Sequence, residues 1–158
     1  MIHNFQKSLS YGKEVESVLD NYFSKWFHIE NVTLEEEKQL GIDRKFHCDN
    51  RDIVTVEYKA DRWTVKTGNI FIETSVAGNP GWAIKTQADM IIYAAMCGVT
   101  INTLYMMPNE WLKSMLPIWQ EKCQQRTIKN NGFSGVGLLV PTSEMIEPVI
   151  VRKIRNSL

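Results

Sequence analysis

Two acidic residues and a lysine in the stretch Gly41–Lys59 have the types and spacing of a hydrolytic reaction centre. Asp43 precedes Glu57 by fourteen positions, and Lys59 follows Glu57 by two. The run Val54–Lys59 alternates apolar and polar residues, which predicts a β-strand with Glu57 and Lys59 on one face. Carboxylates can hold a divalent cation, and a nearby ammonium can orient an attacking water. We therefore predict a metal site in a hairpin, with Asp43 supplied by the neighbouring strand.

The same residues also have an ordinary interpretation. Asp43 and Glu57 could lie on the solvated face of a hairpin, and Lys59 could form a surface ion pair with Glu57 or Asp61. Such a pair contributes only ~0–1 kcal/mol. An acid opposite three apolar strand residues, in a sheet covered by helices, would however be buried without a purpose.

The elements that must position this hairpin are predicted from hydrophobic periodicity. Residues 10–28 have apolar residues at helical spacing and predict an amphipathic helix. Residues 30–40 are acidic and polar, which favours a connector or a short solvated helix. After the hairpin, residues 63–67 could extend its second strand, and residues 70–74 predict a third strand beside it.

The second half of the chain predicts a helical crossover followed by further elements. Thr86 and Asp89 are a plausible helix cap, followed by a narrow apolar stripe that ends before Gly98. Residues 101–107 predict a strand that Pro108 stops, and a third helix follows. Residues 129–135 are predicted to be a loop, and short strands are expected at 136–140 and 149–154. The order indicates an α/β (α+β) fold whose central mixed β-sheet is flanked by helices.

Composition limits the class of protein. The chain has 158 residues, which suits a single domain over residues 1–158 with a sizeable core. Eighteen basic and eighteen acidic residues balance, so net charge alone does not indicate a nucleic-acid partner. Three distant cysteines fit a reducing compartment, and no apolar run is long enough for a bilayer. We expect a cytoplasmic protein that does not associate with membranes.

The motif resembles a known family. Asp43 followed by Glu57-Tyr58-Lys59 is similar to the D…(E/D)xK signature of the PD-(D/E)XK, or restriction-endonuclease-like, nuclease superfamily. The predicted αβββαβ order of a core at about residues 10–107 resembles that superfamily's common core, and the helix and strands of residues 108–158 form a C-terminal extension. Gly12 and Glu16 are similar to the G-x-x-x-E of Holliday-junction resolvases. Ile42 replaces the proline of the family name, and no Gln-x-x-x-Tyr motif follows the core.

This resemblance implies an activity and a set of roles. It implies a Mg²⁺-dependent DNA endonuclease, with Mn²⁺ as a substitute, that acts as a homodimer and could cut branched or structured DNA. Asp43, Glu57, the backbone carbonyl of Tyr58 and Glu16 would hold the metal, and Lys59 would orient or help deprotonate the water. A small nuclease of this kind could also be encoded by a phage or mobile element. The alternative is an inactive nuclease-like fold that serves as a nucleic-acid-binding or assembly module.

Further residues are candidates for the same site. Glu73 is a second-tier acid, because its strand is expected beside the strand of Glu57. Trp82, Lys85 and Thr86 precede the predicted crossover helix, where a helix N-terminus and a lysine could bind a phosphate. Arg62 and Asn69 could contact the DNA backbone but have no spacing that specifies a base.

Overall fold

The computed structural model describes residues 2–130 and 132–154, and the side chains of residues 10–129, 132 and 134–154. Two β-sheets and two long helices form the fold. In chain order the elements are α1 (Ile2–Phe23), β1 (His28–Asn31), a π-helix (Glu36–Leu40), β2 (Arg44–His47), β3 (Ile53–Asp61), α2 (Thr64–Thr67), β4 (Asn69–Val76), β5 (Asn79–Pro80), α3 (Trp82–Lys85), β6 (Met90–Cys97), β7 (Thr100–Pro108), α4 (Asn109–Lys122), β8 (Gln124–Asn130), β9 (Phe133–Pro141), a 3₁₀ turn (Thr142–Glu144) and β10 (Ile150–Lys153).

The larger sheet is mixed and has the strand order β1-β2-β3-β6-β7-β10. Its neighbours run antiparallel except for β3 and β6, which are parallel, with Glu57 opposite Ile91 and Lys59 opposite Tyr93. The smaller sheet has the order β5-β4-β9-β8 and is antiparallel. The protein is therefore α+β, with a mixed central sheet flanked by helices.

Each face of the central sheet has its own apolar layer. On one face, Val15, Leu19 and Phe23 of α1 pack against a cluster that includes Val56 and Tyr58 of β3. On the other face, the second cluster joins β6 and β7 to α4 and the smaller sheet. The predicted alternation of β3 is confirmed, because its apolar residues face α1 while Glu57 and Lys59 project to the opposite side.

The predicted crossover helix at residues 86–97 is wrong, since residues 90–97 form strand β6. This strand lies between β3 and β7 and is buried on both faces. Ile92, Ala94 and Met96 join the α1 layer, while Ile91 and the residues alternating with it join the other layer. A strand covered on both sides has no polar face, so its sequence lacks the two-residue period. Its small apolar residues then match a helical stripe equally well.

Three other predictions are also corrected. Residues 63–67 do not extend the hairpin, because residues 64–67 form α2, which ends at Gly68 in the left-handed region at φ +70°. The strand predicted at 70–74 exists as β4, but it belongs to the smaller sheet and does not pair with β3. The predicted first helix ends at Phe23 and not near residue 28, and residues 28–31 supply the extra strand of the central sheet. The π-helix Glu36–Leu40 agrees with the short solvated helix that was one alternative for residues 30–40.

The end of the chain contains more β-structure than expected. Most of the predicted loop at 129–135 belongs to the β8–β9 hairpin, although Asn131 lies outside the described residues. The expected strands near 136–140 and 149–154 correspond to β9 and β10, and β10 pairs with β7 at the edge of the central sheet. No helix in the described part of the chain is long and apolar enough to cross a bilayer.

Candidate active site

Asp43 is fixed against β3 by two hydrogen bonds that flank Glu57. Its backbone N–H donates to the carbonyl oxygen of Val56 at 2.8 Å, and its Oδ2 accepts the backbone N–H of Tyr58 at 2.7 Å. Asp43 lies immediately before β2, so the hairpin pairing brings it to this position. The sequence prediction that Asp43 comes from the neighbouring strand to meet Glu57 agrees with this geometry.

Glu57 and Lys59 form a close ion pair in which the carboxylate is buried and the lysine is partly exposed. Lys59 Nζ lies 2.6 Å from Glu57 Oε1, and Glu57 is only 4% exposed. Burial raises the pKa of the Glu57 carboxyl, and the positive charge of Lys59 opposes that rise. The second oxygen, Oε2, is buried and accepts no well-formed hydrogen bond from the described residues, since the nearby hydroxyl of Thr86, which lowers the pKa of Glu57, donates to Gly41. A buried anionic oxygen without a donor is costly unless a cation or a donor meets it.

Gly41 is what allows the backbone to pass so close to Glu57. It ends the π-helix in the left-handed region, at φ +64°. A Cβ at this position would lie 3.5 Å from Glu57 Oε2 and 3.2 Å from the Cα of Thr86. The hydroxyl of Thr86 donates to the carbonyl oxygen of Gly41 at 3.1 Å, which ties this turn to the segment before β6.

Asp43, Glu57 and Lys59 line one cleft of about 800 Å³. The π-helix, β4, β5 and α3 form its other walls. Among the described residues around it, four acids face two lysines: Glu37, Asp43, Glu57 and Glu73 against Lys59 and Lys85. The cleft therefore carries an excess of negative charge, which attracts cations and disfavours a bare phosphate.

Glu16 is near this site but is bound elsewhere. Its Oε2 lies 3.0 Å from the guanidinium of Arg44, which also binds Asp20 at 3.0 Å and donates to the backbone carbonyl of Asp43 at 2.7 Å. Burial, and then the charge of Asp43, raise the pKa of Glu16, while Arg44 opposes both. Glu16 does not line the cleft. It pairs with Arg44 and is not placed to bind a metal beside Asp43 and Glu57 as the sequence predicted.

The ligands available here suit a Mg²⁺ ion that keeps several waters better than a metal ion enclosed entirely by protein side chains. Within residues 10–129 and 132–154, no three His, Cys, Asp or Glu side chains converge closely enough to form a metal cage. Mg²⁺ is commonly bound by one or two carboxylates and keeps several waters. Asp43 and Glu57, with its unpartnered Oε2, fit that requirement. Tyr58 can contribute only its backbone, since its ring is buried on the α1 face and its hydroxyl donates to Asp20.

Glu73 lines the cleft, although the expectation that its strand lies beside β3 is wrong. It comes from β4 of the smaller sheet and not from a neighbour of β3. Burial raises the pKa of Glu73, while the backbone N–H of Trp82 and the charge of Lys59 lower it. Lys59 is therefore within electrostatic reach of a carboxylate on each sheet.

The five predicted DNA contacts are divided between several places. Trp82 and Lys85 line the cleft, and the Nζ of Lys59 lies 5.9 Å from the centroid of the Trp82 ring. Thr86 also borders the cleft but is fully buried, and its hydroxyl is used by Gly41 and by the N–H of Ala88. The expected N-terminal phosphate site of a long helix is absent here, because Trp82–Lys85 is a single turn and β6 follows.

The other two predicted contacts lie apart from the cleft. Arg62 lies over the ring of Tyr11, with 4.3 Å between the guanidinium carbon and the ring centroid. Asn69 lines a second cavity, beside Lys59 and Trp82.

Sequence reasoning missed Glu37, Arg44 and Asp20. Glu37 was interpreted as part of a solvated connector, but the π-helix places it at the cleft. Asp20 follows Glu16 by one helical turn, so the two acids share a face of α1, and this spacing could have indicated a shared cation. Arg44 follows Asp43 directly, but only the hairpin register shows that it lies under α1.

A comparison of the chain with protein-family models, curated proteins and solved structures found no significant match.

Proposed function

We propose that this protein is a divalent-metal-dependent DNA endonuclease that hydrolyses phosphodiester bonds. One observation carries the proposal: Asp43, Glu57 and Lys59 meet in one cleft, where the buried Oε2 of Glu57 accepts no well-formed hydrogen bond from the described residues. Two acids can hold a cation, and the adjacent ammonium can act on a phosphate or a water. The resemblance to the PD-(D/E)XK nucleases assigns the same three residues to catalysis.

The order of elements supports a restriction-endonuclease-like core. Along the chain α1 is followed by the central-sheet strands β1, β2 and β3, and β6 joins the same sheet after a segment that contains α2, β4, β5 and α3. This matches an αβββαβ order only if β4 and β5 of the smaller sheet are treated as an insertion, and β1 and β6 then stand in place of the strands expected at 70–74 and 101–107. With this assignment Asp43 precedes the second strand, and Glu57 and Lys59 lie on the third.

The side chains have distinct roles in this mechanism. Asp43 and Glu57 would hold Mg²⁺ or Mn²⁺, with the Tyr58 carbonyl as a further ligand, and the ion would neutralise developing phosphate charge and acidify a water. Lys59 is held by Glu57 and would orient the attacking water and counter the charge on the phosphate. Glu73 would place a second carboxylate near Lys59 from the opposite wall. Glu16 would act through Arg44, which fixes the backbone of Asp43.

The DNA substrate would enter along the wall formed by α3. Trp82 and Lys85 would contact it there, with Arg62, Thr86 and Asn69 as the remaining predicted contacts. We propose a homodimer for cleavage of both strands, since one domain of this size supplies one site. Sedimentation of the protein with and without DNA tests this part separately.

The activity is tested by incubating the protein with supercoiled plasmid, single-stranded DNA and a four-way junction, with Mg²⁺, Mn²⁺ or EDTA. We expect metal-dependent cleavage that Lys59→Ala reduces by at least about 100-fold, a magnitude typical of a lost charge-stabilising group. Lys122→Ala is the matched control, because Lys122 also pairs with a glutamate, Glu144, at 3.6 Å but lies outside the cleft. Equal cleavage by the two variants, or no cleavage by folded wild-type protein, would refute the proposal.

A second candidate function has one observation in its favour. Arg44 binds Glu16 and Asp20 beside Asp43, so these two acids of α1 already share a cation within the protein. This arrangement also suits a nuclease-like fold that binds nucleic acid or assembles without catalysis. Calorimetric titration with Mg²⁺ separates the two, because only the enzyme requires heat of binding that Asp43→Asn and Glu57→Gln abolish.

A further inference from the structure

A second cavity, of about 670 Å³, adjoins the cleft. We call it the side pocket. It shares Lys59 and Trp82 with the cleft, so an extended chain seated at the proposed site would pass directly from one to the other. Its aromatic lining comes from both sheets, from α3 and from the residue before α2: Trp63, Phe71, Trp82 and Tyr93.

The aromatic walls are held in place by hydrogen bonds and packing. Asp61 accepts the backbone N–H of Trp63 at 2.6 Å, the hydroxyl of Thr64 at 2.8 Å and the hydroxyl of Tyr93 at 2.7 Å. Both carboxylate oxygens of Asp61 therefore accept hydrogen bonds from residues around the pocket. Phe71 lies across Gly137, where an added Cβ would come within 2.5 Å of the ring. Tyr93, Phe71 and the backbone of Trp63 are thus held in place, while the ring of Trp63 remains exposed.

Trp63 is exposed in a way that a core residue is not. It is 67% exposed, and Lys66 Nζ lies 5.5 Å from the ring centroid. A tryptophan that lines a cavity and remains largely open to solvent can stack a flat ligand at little conformational cost. Base–aromatic stacking of this type is tolerant of sequence, because every base has a π-face.

The charged residues described around the side pocket are three cations, Lys59, Lys66 and Arg126, and one carboxylate, Asp61, and this excess of positive charge favours a polyanion. Lys59 lies at the boundary with the cleft, and Arg126 of β8 lines the pocket as an exposed residue. Lys66 adds a third positive charge beside Trp63. Aromatic walls with cations at the edges are the features with which proteins bind single-stranded nucleic acid.

We propose that the side pocket binds an unpaired nucleobase of the DNA strand whose phosphate lies at Glu57 and Lys59. This rests on the proposed function and specifies its substrate class: DNA with unpaired nucleotides beside the cleavage site, such as a single strand, a bubble or a junction. In an intact duplex the faces of the bases are stacked, so a base must leave the helix to enter.

The proposal is tested by binding in EDTA, where catalysis plays no part. Fluorescence anisotropy would measure the affinity of the full-length protein for labelled oligothymidylate, for an abasic oligonucleotide of equal length and for a blunt hairpin duplex. We expect Trp63→Ala to weaken oligothymidylate binding by roughly tenfold, the effect of one lost stacking platform. Abasic and duplex binding should be unchanged.

Trp26→Ala is the matched control, because Trp26 is also exposed, at 49%, but lines neither the cleft nor the side pocket. It should alter oligothymidylate binding less than about twofold. Arg126→Gln provides a second readout on the same pocket, and it should lower the salt dependence of binding. Melting temperatures of all three variants identify any loss of folding.

The outcomes separate this inference from the proposed function. Three results would each overturn the side-pocket proposal. The first is that Trp63→Ala and Trp26→Ala weaken oligothymidylate binding equally, and the second is that the wild-type protein binds the abasic strand as tightly as oligothymidylate. The third is that Trp63→Ala weakens duplex binding as much as oligothymidylate binding. Metal-dependent cleavage alongside any of these results would leave the nuclease intact. Trp63-dependent binding without any cleavage would support the pocket and remove the nuclease.

Discussion

The substitution Arg44→Met removes a guanidinium that joins α1 to the candidate site. Arg44 Nε donates to both carboxylate oxygens of Asp20 at 3.0–3.1 Å, and a terminal nitrogen lies 3.0 Å from Glu16 Oε2. The other terminal nitrogen donates to the backbone carbonyl of Asp43 at 2.7 Å. The Arg44 side chain is only 15% exposed, so methionine can occupy much of its volume without replacing any of these bonds.

The expected cost follows from leaving two carboxylates without a counter-charge. Breaking a fully buried ion pair costs ~3–5 kcal/mol. The side chains of Glu16 and Asp20 are 35% and 30% exposed, so water screens part of the loss. We therefore expect the free energy of unfolding to fall by ~2–3 kcal/mol at neutral pH. Removing one of the two carboxylates with Glu16→Gln in the Arg44→Met background should recover part of that loss.

The effect should also depend on pH in a defined direction. The pKa of Glu16 in the folded protein is already raised by burial and by Asp43, and Arg44 opposes the rise. A raised folded pKa means that stability is present below the unfolded pKa and is lost as pH rises through the folded value. Without Arg44 the pKa of Glu16 rises further. The deficit of Arg44→Met should therefore be larger at pH 7 than at about pH 4.

Urea unfolding at both pH values, followed by tryptophan fluorescence, measures this effect. Arg126→Met is the matched control, because Arg126 is an exposed arginine and its replacement should change stability by less than ~0.5 kcal/mol. A loss below ~1 kcal/mol for Arg44→Met at pH 7, or a deficit that grows on acidification, would refute this account of the Arg44 contacts.

Two further predictions concern stability alone. Gly41→Ala should destabilise the protein by ~1–2 kcal/mol, because φ is +64° and the added Cβ would lie 3.2 Å from Thr86 Cα. Gly12→Ala is the control and should be neutral or stabilising, because Gly12 lies within α1 with open space around it. A lower melting temperature for Gly12→Ala than for Gly41→Ala would contradict this prediction. Lys45 and the N–H of Thr33 lower the pKa of Glu36 to about 2, so its contribution to stability is present above the unfolded pKa and is lost as pH falls toward that value. Glu36→Gln should accordingly make stability less sensitive to acid, and an unchanged acid titration would contradict the assignment.

The site could be predicted from the sequence where a strand has one polar face. β3 alternates because α1 covers only one of its faces, so Glu57 and Lys59 could be assigned to the other. Asp43 could be added because a short hairpin brings its two strands together. β6 could not be predicted in the same way, since both of its faces are buried and its pattern is uniformly apolar.

Contacts between segments that are distant along the chain could not be predicted from the sequence. Whether Glu16 would bind a metal ion or the guanidinium of Arg44 depends on where Arg44 lies relative to α1, and only the packing of the folded chain decides this. The side pocket likewise needs β3, β4, β6 and β8 from two sheets. Glu73 joins the cleft because the smaller sheet folds against the central one, and its position in the sequence gives no sign of that.

A crystal of the protein soaked in Mn²⁺ and measured at the manganese absorption edge tests the central claim most directly. The anomalous signal would report where the ion lies without relying on activity. We predict a peak bound by Asp43 and by Oε2 of Glu57, with Glu16 still paired to Arg44. No peak in the cleft at millimolar Mn²⁺, or a peak that does not touch Glu57, would contradict a metal-dependent nuclease built on these residues.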